Sequence, residues 1–156
     1  MGGPAMPENA PRIRTATPGD LPALLALEAA SFQDYRRASA ASLRRSLESP
    51  RQSVWVVDGP RGQLGGLLVL WHFPHRIRIY DIATHPDLRG QGIGKALLQH
   101  AEAQARAAGC SWMTLEAEEA DPDLVAWYRH HGYAVVDRLP DFYHAGCHAV
   151  RMTKRL

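Results

Sequence analysis

Apolar and polar positions recur along the chain with two periods, and their order lays out a series of strands and helices. Arg12 to Ala16 reads as a short first strand. Thr17-Pro18-Gly19-Asp20 then caps a helix running to about Ala30, with Leu21, Leu24, Leu25 and Leu27 as its apolar face. Ser39 or Ser42 opens a second short helix that ends before Pro50. Residues 53–58 and 63–71 form a hairpin around Asp58-Gly59-Pro60-Arg61-Gly62, and Arg76 to Thr84 is the next strand. A long helix over 92–108 follows, with Ile93, Leu97, Leu98 and Ala101 at helical spacing and Gly109 closing it. Ser111 to Ala117 is a strand, Asp123 to His131 a helix stopped by Gly132, and strands at about 133–138 and 147–154 finish the chain. This order predicts an α/β (α+β) architecture, a mixed central sheet of roughly six or seven strands with helices on both faces.

Length and charge narrow the picture. A chain of 156 residues is one domain's worth of core, assigned to 12–156, with 1–11 expected as a loose tail lacking the basic start and apolar centre of a signal peptide. The net charge of +2 is too small to imply a nucleic-acid partner. No apolar run is long enough to span a membrane, the longest being Leu64 to Trp71 with two glycines inside it. Cys110 and Cys147 make no disulfide framework and read as free thiols of a cytoplasmic protein, monomer or homodimer.

The chemistry begins at Arg89-Gly90-Gln91-Gly92-Ile93-Gly94-Lys95, where the 76–84 strand gives way to the long helix. Alternating glycines at a helix start let backbone N–H groups crowd onto an anion, and the helix dipole adds roughly half a positive charge there. The spacing excludes two common phosphate loops. A Walker A loop needs a glycine where Arg89 stands and a hydroxyl where Ala96 stands, and a dinucleotide fingerprint needs Gly-x-Gly-x-x-Gly. The segment from Ile82-Ala83-Thr84-His85-Pro86 through Gly94 resembles instead the core motif of the GNAT superfamily of N-acetyltransferases, whose Arg-x-x-Gly-x-Gly loop grips the pyrophosphate of coenzyme A. The β-α-α-β-β-β-α-β-α-β-β order is likewise that superfamily's fold. The resemblance implies acetyl-CoA as cosubstrate, held by Ile82, Ala83, Thr84, Arg89, Gly90, Gln91, Gly92, Ile93, Gly94 and Lys95.

Acetyl transfer to an amine needs a proton acceptor for the ammonium, a donor for the departing thiolate and an N–H for the oxyanion, which in this superfamily lies on the strand before the cradle. Ala126-Trp127-Tyr128-Arg129-His130-His131-Gly132-Tyr133 resembles the superfamily's Ala-x-Tyr-x-x-x-Gly-aromatic ending, which makes Tyr128 the acid. Leu115-Glu116 through Tyr128 resembles in spacing the ribosomal-protein alanine acetyltransferase branch, whose glutamate at that place is the base. A carboxylate of ordinary pKa is weak for that task, so Glu116 serves either as base or as an attractor of a cationic acceptor. The acids Glu116, Glu118, Glu119, Asp121 and Asp123 suit either that attraction or capping of the following helix. The branch carries asparagine at Asp121, where its amide contacts the pantetheine arm; an aspartate cannot donate.

The acceptor groove is expected between Phe32 and Tyr35 on one side and Phe142 and Tyr143, in a tail resembling alanine-acetyltransferase-like proteins, on the other. A peptide or protein N-terminal amine is the expected acceptor, with a small amine or polyamine, or a non-catalytic acyl-CoA sensor, as alternatives. His144, Cys147 and His148 lie close in sequence, but alternation puts Cys147 and His148 on opposite faces, so no metal is expected.

Overall fold

The mixed sheet expected from the element order is present in the computed structural model, which describes residues 10–156. The loose tail expected over 1–11 falls mostly on residues 1–9, outside the described residues. The strands are β1 (Ile13–Thr15), β2 (Gln52–Asp58), β3 (Leu64–His72), β4 (Arg76–Thr84), β5 (Trp112–Glu118), β6 (Ala134–His144) and β7 (Cys147–Arg155). The helices are α1 (Leu21–Ser31), α2 (Ala40–Glu48), α3 (Ile93–Ala107) and α4 (Pro122–His130). One sheet holds every strand in the order β1-β2-β3-β4-β5-β7-β6. All neighbours are antiparallel except β4 and β5, which α3 connects as a parallel crossover.

The local signals explain the boundaries. Thr17 N–H donates to Asp20 (2.7 Å) ahead of α1, and the Ser39 hydroxyl accepts from Ser42 N–H (3.0 Å) to start α2. The expected end of β6 near 138 is a correction. The strand reaches His144 because Pro140 is tolerated on an edge strand and Asp141, at φ 55°, bulges the hairpin and accepts from Gly146 N–H at 2.7 Å. No helix of the described residues is long and apolar enough to cross a membrane.

Helices cover both faces of the sheet, so β3 is buried from Leu64 through Leu70. Leu68 and Leu70 join a core with Ile93, Leu97, Leu98, Ala101 and Met113 beneath α3. Leu67 and Val69 join the other core with Leu24, Leu27 and Leu43 beneath α1 and α2. A partly buried ion pair fastens α3 to β7: Lys154 Nζ lies 2.6 Å from Glu102 and also donates to His131 O, while Tyr133 donates to the same carboxylate at 3.3 Å.

Two features place the site. Bonding between β4 and β5 runs only from Arg76 opposite Trp112 to Ile79 opposite Leu115. Beyond that point the strands part, although β4 continues to Thr84 and β5 to Glu118. The same level carries a bulge in β4, where Leu70 pairs with Ile79 and Val69 with Asp81, leaving Tyr80 unpaired. An extra residue bends and twists its strand, and here it turns β4 away from β5. The second feature is Gly66 of β3: a Cβ there would lie 2.7 Å from Ile93 Cγ2 and 3.0 Å from Leu97 Cδ1. The first turn of α3 therefore rests directly on the sheet.

Gly66→Val should lift that turn and destabilise the protein by ~1–3 kcal/mol, the usual cost of overpacking a close-packed contact. Thermal unfolding measures this, and a melting temperature equal to wild type would show that α3 can move off the sheet freely.

Candidate active site

The wedge between β4 and β5 is a cavity of about 730 Å³. Ile82, Ala83 and Thr84 of β4 form one wall, and Glu116 of β5 faces it. Arg89, Gly90, Gly92, Ile93, Gly94 and Lys95 line it from the loop and the first turn of α3. Asp121 and Tyr128 reach it from α4, and Phe32 and Tyr35 from the segment after α1. Gln91 is the exception among the expected cradle residues: it is exposed and outside the lining.

The cradle is built for an anion. Gly90 and Gly92 take φ +80° and +87°, a left-handed backbone that side chains disfavour, and a Cβ at either would meet nothing within 4 Å. Gly92 is the residue before the helix and has no side chain to cap it, and the first turn holds no acid. The first helical bond is Ala96 N–H to Gly92 O, so the amides of Ile93, Gly94 and Lys95 have no partner within the helix. Gly94 differs from its neighbours: a Cβ there would make ordinary contacts with Thr84 Oγ1 at 3.5 Å and Trp127 at 3.7 Å.

Tyr128 is 4% exposed, wedged edge-on between Trp127 and Tyr133 with its ring on the cavity wall. Burial pushes its hydroxyl well above the ordinary phenol range; Arg36 opposes the rise and Asp81 adds to it.

The three glutamates of the acidic segment each pair with an arginine, whereas Asp121 and Asp123 pair with none among the described residues. Glu116 accepts from Arg78 Nε at 2.9 Å on one oxygen and from Arg151 Nη2 at 3.5 Å on the other. Arg78 also lies over the Trp71 ring at 4.9 Å. Glu119 pairs with Arg138 at 2.6 Å. Asp121 accepts from Leu124 N–H at 3.1 Å as the cap of α4.

Glu118 is the anchor of the segment after α1. It accepts from Tyr35 OH (2.7 Å), Arg36 Nη1 (3.0 Å) and Cys147 Sγ (3.0 Å). Burial works against its charge, yet these three donors hold its carboxyl below the usual range. The same contact pushes the Tyr35 hydroxyl up to about 12. Arg36 stacks over Tyr143 at 4.6 Å and Phe32 at 5.3 Å, closing a strap across the site.

A second cavity of about 280 Å³ lies behind that strap. The expected groove residues Phe32, Tyr35, Phe142 and Tyr143 line it together with Arg78 and Tyr80. Both cavities share Phe32, Tyr35, Arg36, Tyr80, Asp81 and Glu116, so the two adjoin along these residues. In the tail, His144 stands opposite Cys147 across the hairpin and packs on Tyr35 at 4.8 Å, Cys147 donates to Glu118, and His148 Nδ1 accepts from Asp141 N–H at 2.9 Å.

Asp81, Arg36 and Arg78 were not singled out from the sequence. The available signal was Asp81 itself, an acid inside the apolar strand run Ile79-Tyr80-Asp81-Ile82-Ala83. The arginines carried no local signal, because their partners lie far away in the chain.

The chain spans about half the length of the curated relatives it matches. It is 32% identical over 89 residues to a streptothricin acetyltransferase of Streptomyces lavendulae, covering 56% of this chain and 47% of that protein. Among solved structures, the ribosomal-protein-S18-alanine N-acetyltransferase of Escherichia coli superposes with a TM-score of 0.82 at 20% identity, over 92% of each chain. A GNAT-like decarboxylase, GphF, in complex with isobutyryl-CoA superposes at 0.78 and 20% identity, over 92% of this chain and 98% of that one. The model of the acetyltransferase (GNAT) family matches residues 21–133, and with the cradle, the parted strands and the buried tyrosine in place, the chain belongs to that family.

Proposed function

We propose that the protein is an acetyl-CoA-dependent N-acetyltransferase that moves an acetyl group to a primary amine by direct attack on the thioester. The observation that carries this reading is the wedge itself: the glycine cradle and the buried Tyr128 share one cavity, and the strap residues border it.

Acetyl-CoA supplies the activated acetyl group. The backbone of Gly90 and Gly92 and the amides of α3's first turn would hold its pyrophosphate, with Arg89 and Lys95 adding positive charge. Backbone groups of Ile82 to Thr84, unpaired on the side that faces β5, would hold the pantetheine arm and polarise the carbonyl. Asp121, committed to the cap of α4, would offer that arm only an acceptor. Tyr128 gives its proton to the sulfur. The desolvation that raises the tyrosine also raises the basicity of a thiolate in the same cavity, so the transfer is between matched groups.

Glu116 reads as an anchor for Arg78 and Arg151 in preference to the expected base, because both oxygens already accept from guanidinium groups. Arg36 and Arg78 each use one nitrogen in an ion pair with glutamate, which leaves donors for the carbonyls of a peptide acceptor. A peptide or protein N-terminal amine is accordingly the acceptor we favour. A small-molecule amine is the second reading, supported by the 32% identity to the streptothricin enzyme.

Release of free thiol from acetyl-CoA tests the function against short peptides, the same peptides with blocked N-termini, spermidine and streptothricin. We expect release with free N-termini and none with blocked ones. Thermal stabilisation by acetyl-CoA with no release across the panel would leave only an acyl-CoA sensor. Stabilisation should reach a few kcal/mol at roughly a hundredfold excess over Kd and vanish in Gly92→Val, whose side chain fills the cradle and strains a left-handed turn. Tyr128→Phe should lower kcat by about 10²-fold while acetyl-CoA affinity stays near wild type; full kcat would mean the sulfur leaves without this proton.

A further inference from the structure

We propose that the carboxyl pair of Asp81 and Glu28 takes the proton from the acceptor amine where the two cavities adjoin. This rests on the acetyltransferase reading above and supplies the base that Glu116, held by two arginines, is poorly placed to be.

The geometry begins with the bulge in β4. It puts Asp81 opposite Val69, a residue of the core beneath α1 and α2, so the carboxyl points toward α1 while still bordering both cavities. Glu28 comes to meet it from the apolar face of α1. Glu28 is 1% exposed; its Oε2 accepts from Ala38 N–H at 3.2 Å, and its Oε1 is buried with no hydrogen-bond partner. A buried carboxylate oxygen without a donor is costly, and the acid beside it explains the vacancy. Two carboxyl groups in a water-poor place do not both ionise, so one proton bridges them and completes Glu28. Burial, followed by Glu28, holds Asp81 well above the carboxylate range, with the Arg36 charge opposing.

The titratable and charged groups facing Asp81 are Glu28 from α1, Arg36 from the strap, Tyr128 from α4 and, across the wedge, Glu116 from β5. Among the described residues no cation stands within ion-pair distance of Asp81, whereas Glu116 has two. The pair thus carries one negative charge that no cation among the described residues neutralises by contact, at the place where an ammonium would enter.

The step balances as follows. The ammonium binds against the singly protonated pair and loses one proton to its ionised carboxylate, which cancels both charges in a region where separated charges are disfavoured. The freed nitrogen lone pair bonds to the acetyl carbon, and the carbon–sulfur bond breaks with its electrons going to sulfur. Sulfur takes the Tyr128 proton, and Tyr128 is restored by the second proton leaving nitrogen. The pair returns one proton to solvent after the products depart.

The test is the pH dependence of kcat/KM with whichever amine of the panel above is turned over. Asp81→Asn should lower kcat/KM at neutral pH by about 10²-fold and move the acid limb up to the acceptor's own pKa, because only amine already free in solution can then react. Glu28→Gln should also move the limb, since it leaves Asp81 without the carboxyl that shares its proton. Glu116→Gln should lower activity without moving the limb. A second readout needs no acceptor: wild type should show the infrared band of a protonated carboxyl at neutral pH, and Asp81→Asn should lack it. If no amine is turned over but the band behaves this way, the acetyltransferase reading fails while the pair stands. An Asp81→Asn enzyme that loses rate equally at all pH values, a limb that follows Glu116→Gln, or a wild-type protein without the band would each overturn the assignment.

Discussion

The parting of β4 from β5 after Ile79 and Leu115 is the constraint on which the rest of the molecule depends. Two parallel strands that stay paired would leave no room for a ligand and no free backbone groups on Ile82 to Thr84. The cause is local: one extra residue in β4, Tyr80, turns the strand at the level where pairing stops. The bulge also turns Asp81 toward α1, so a single irregularity opens the cofactor side and delivers a carboxyl to the acceptor side. The glycines of β3 answer it from beneath, letting α3 begin on the sheet with its amides facing the opening.

Charge pairing decides which groups remain available. Glu116, Glu118 and Glu119 each have an arginine within about 3 Å, and these pairs brace β5 against β4, β6, β7 and the strap. An ion pair that is partly buried and hydrogen-bonded on several sides holds geometry more than it adds stability. The strap with Tyr35 and Arg36 is accordingly a preformed wall, fastened at Glu118 and stacked on Tyr143. The Asp81–Glu28 pair, by contrast, has no arginine or lysine within ion-pair distance among the described residues.

Much of this was legible in the sequence because it is local. Helix caps such as Ser39, Asp121 and Gly109 announce themselves through side-chain or backbone chemistry within a few residues. The cradle is a contiguous run, and Tyr128 follows from the segment around it. What stayed hidden is set by long-range contact. Nothing near Glu116 says that Arg78 and Arg151 will hold it, since those arginines lie on neighbouring strands of the sheet. Glu28 reads as one polar residue among leucines until α1 is laid on β4. The extension of β6 to His144 was missed because Pro140 and Asp141 look like a loop, and only an edge position accommodates them.

The central claim is that an acyl-CoA lies in the wedge, with its phosphates on the first turn of α3 and its arm along the free side of β4. Amide hydrogen exchange with and without acetyl-CoA tests it most directly, since it reads backbone protection segment by segment. The account predicts slowed exchange over residues 82–84 and 90–95 on adding acetyl-CoA, with the β1–β2 edge unchanged. Binding of acetyl-CoA that leaves both segments exchanging as before would contradict it.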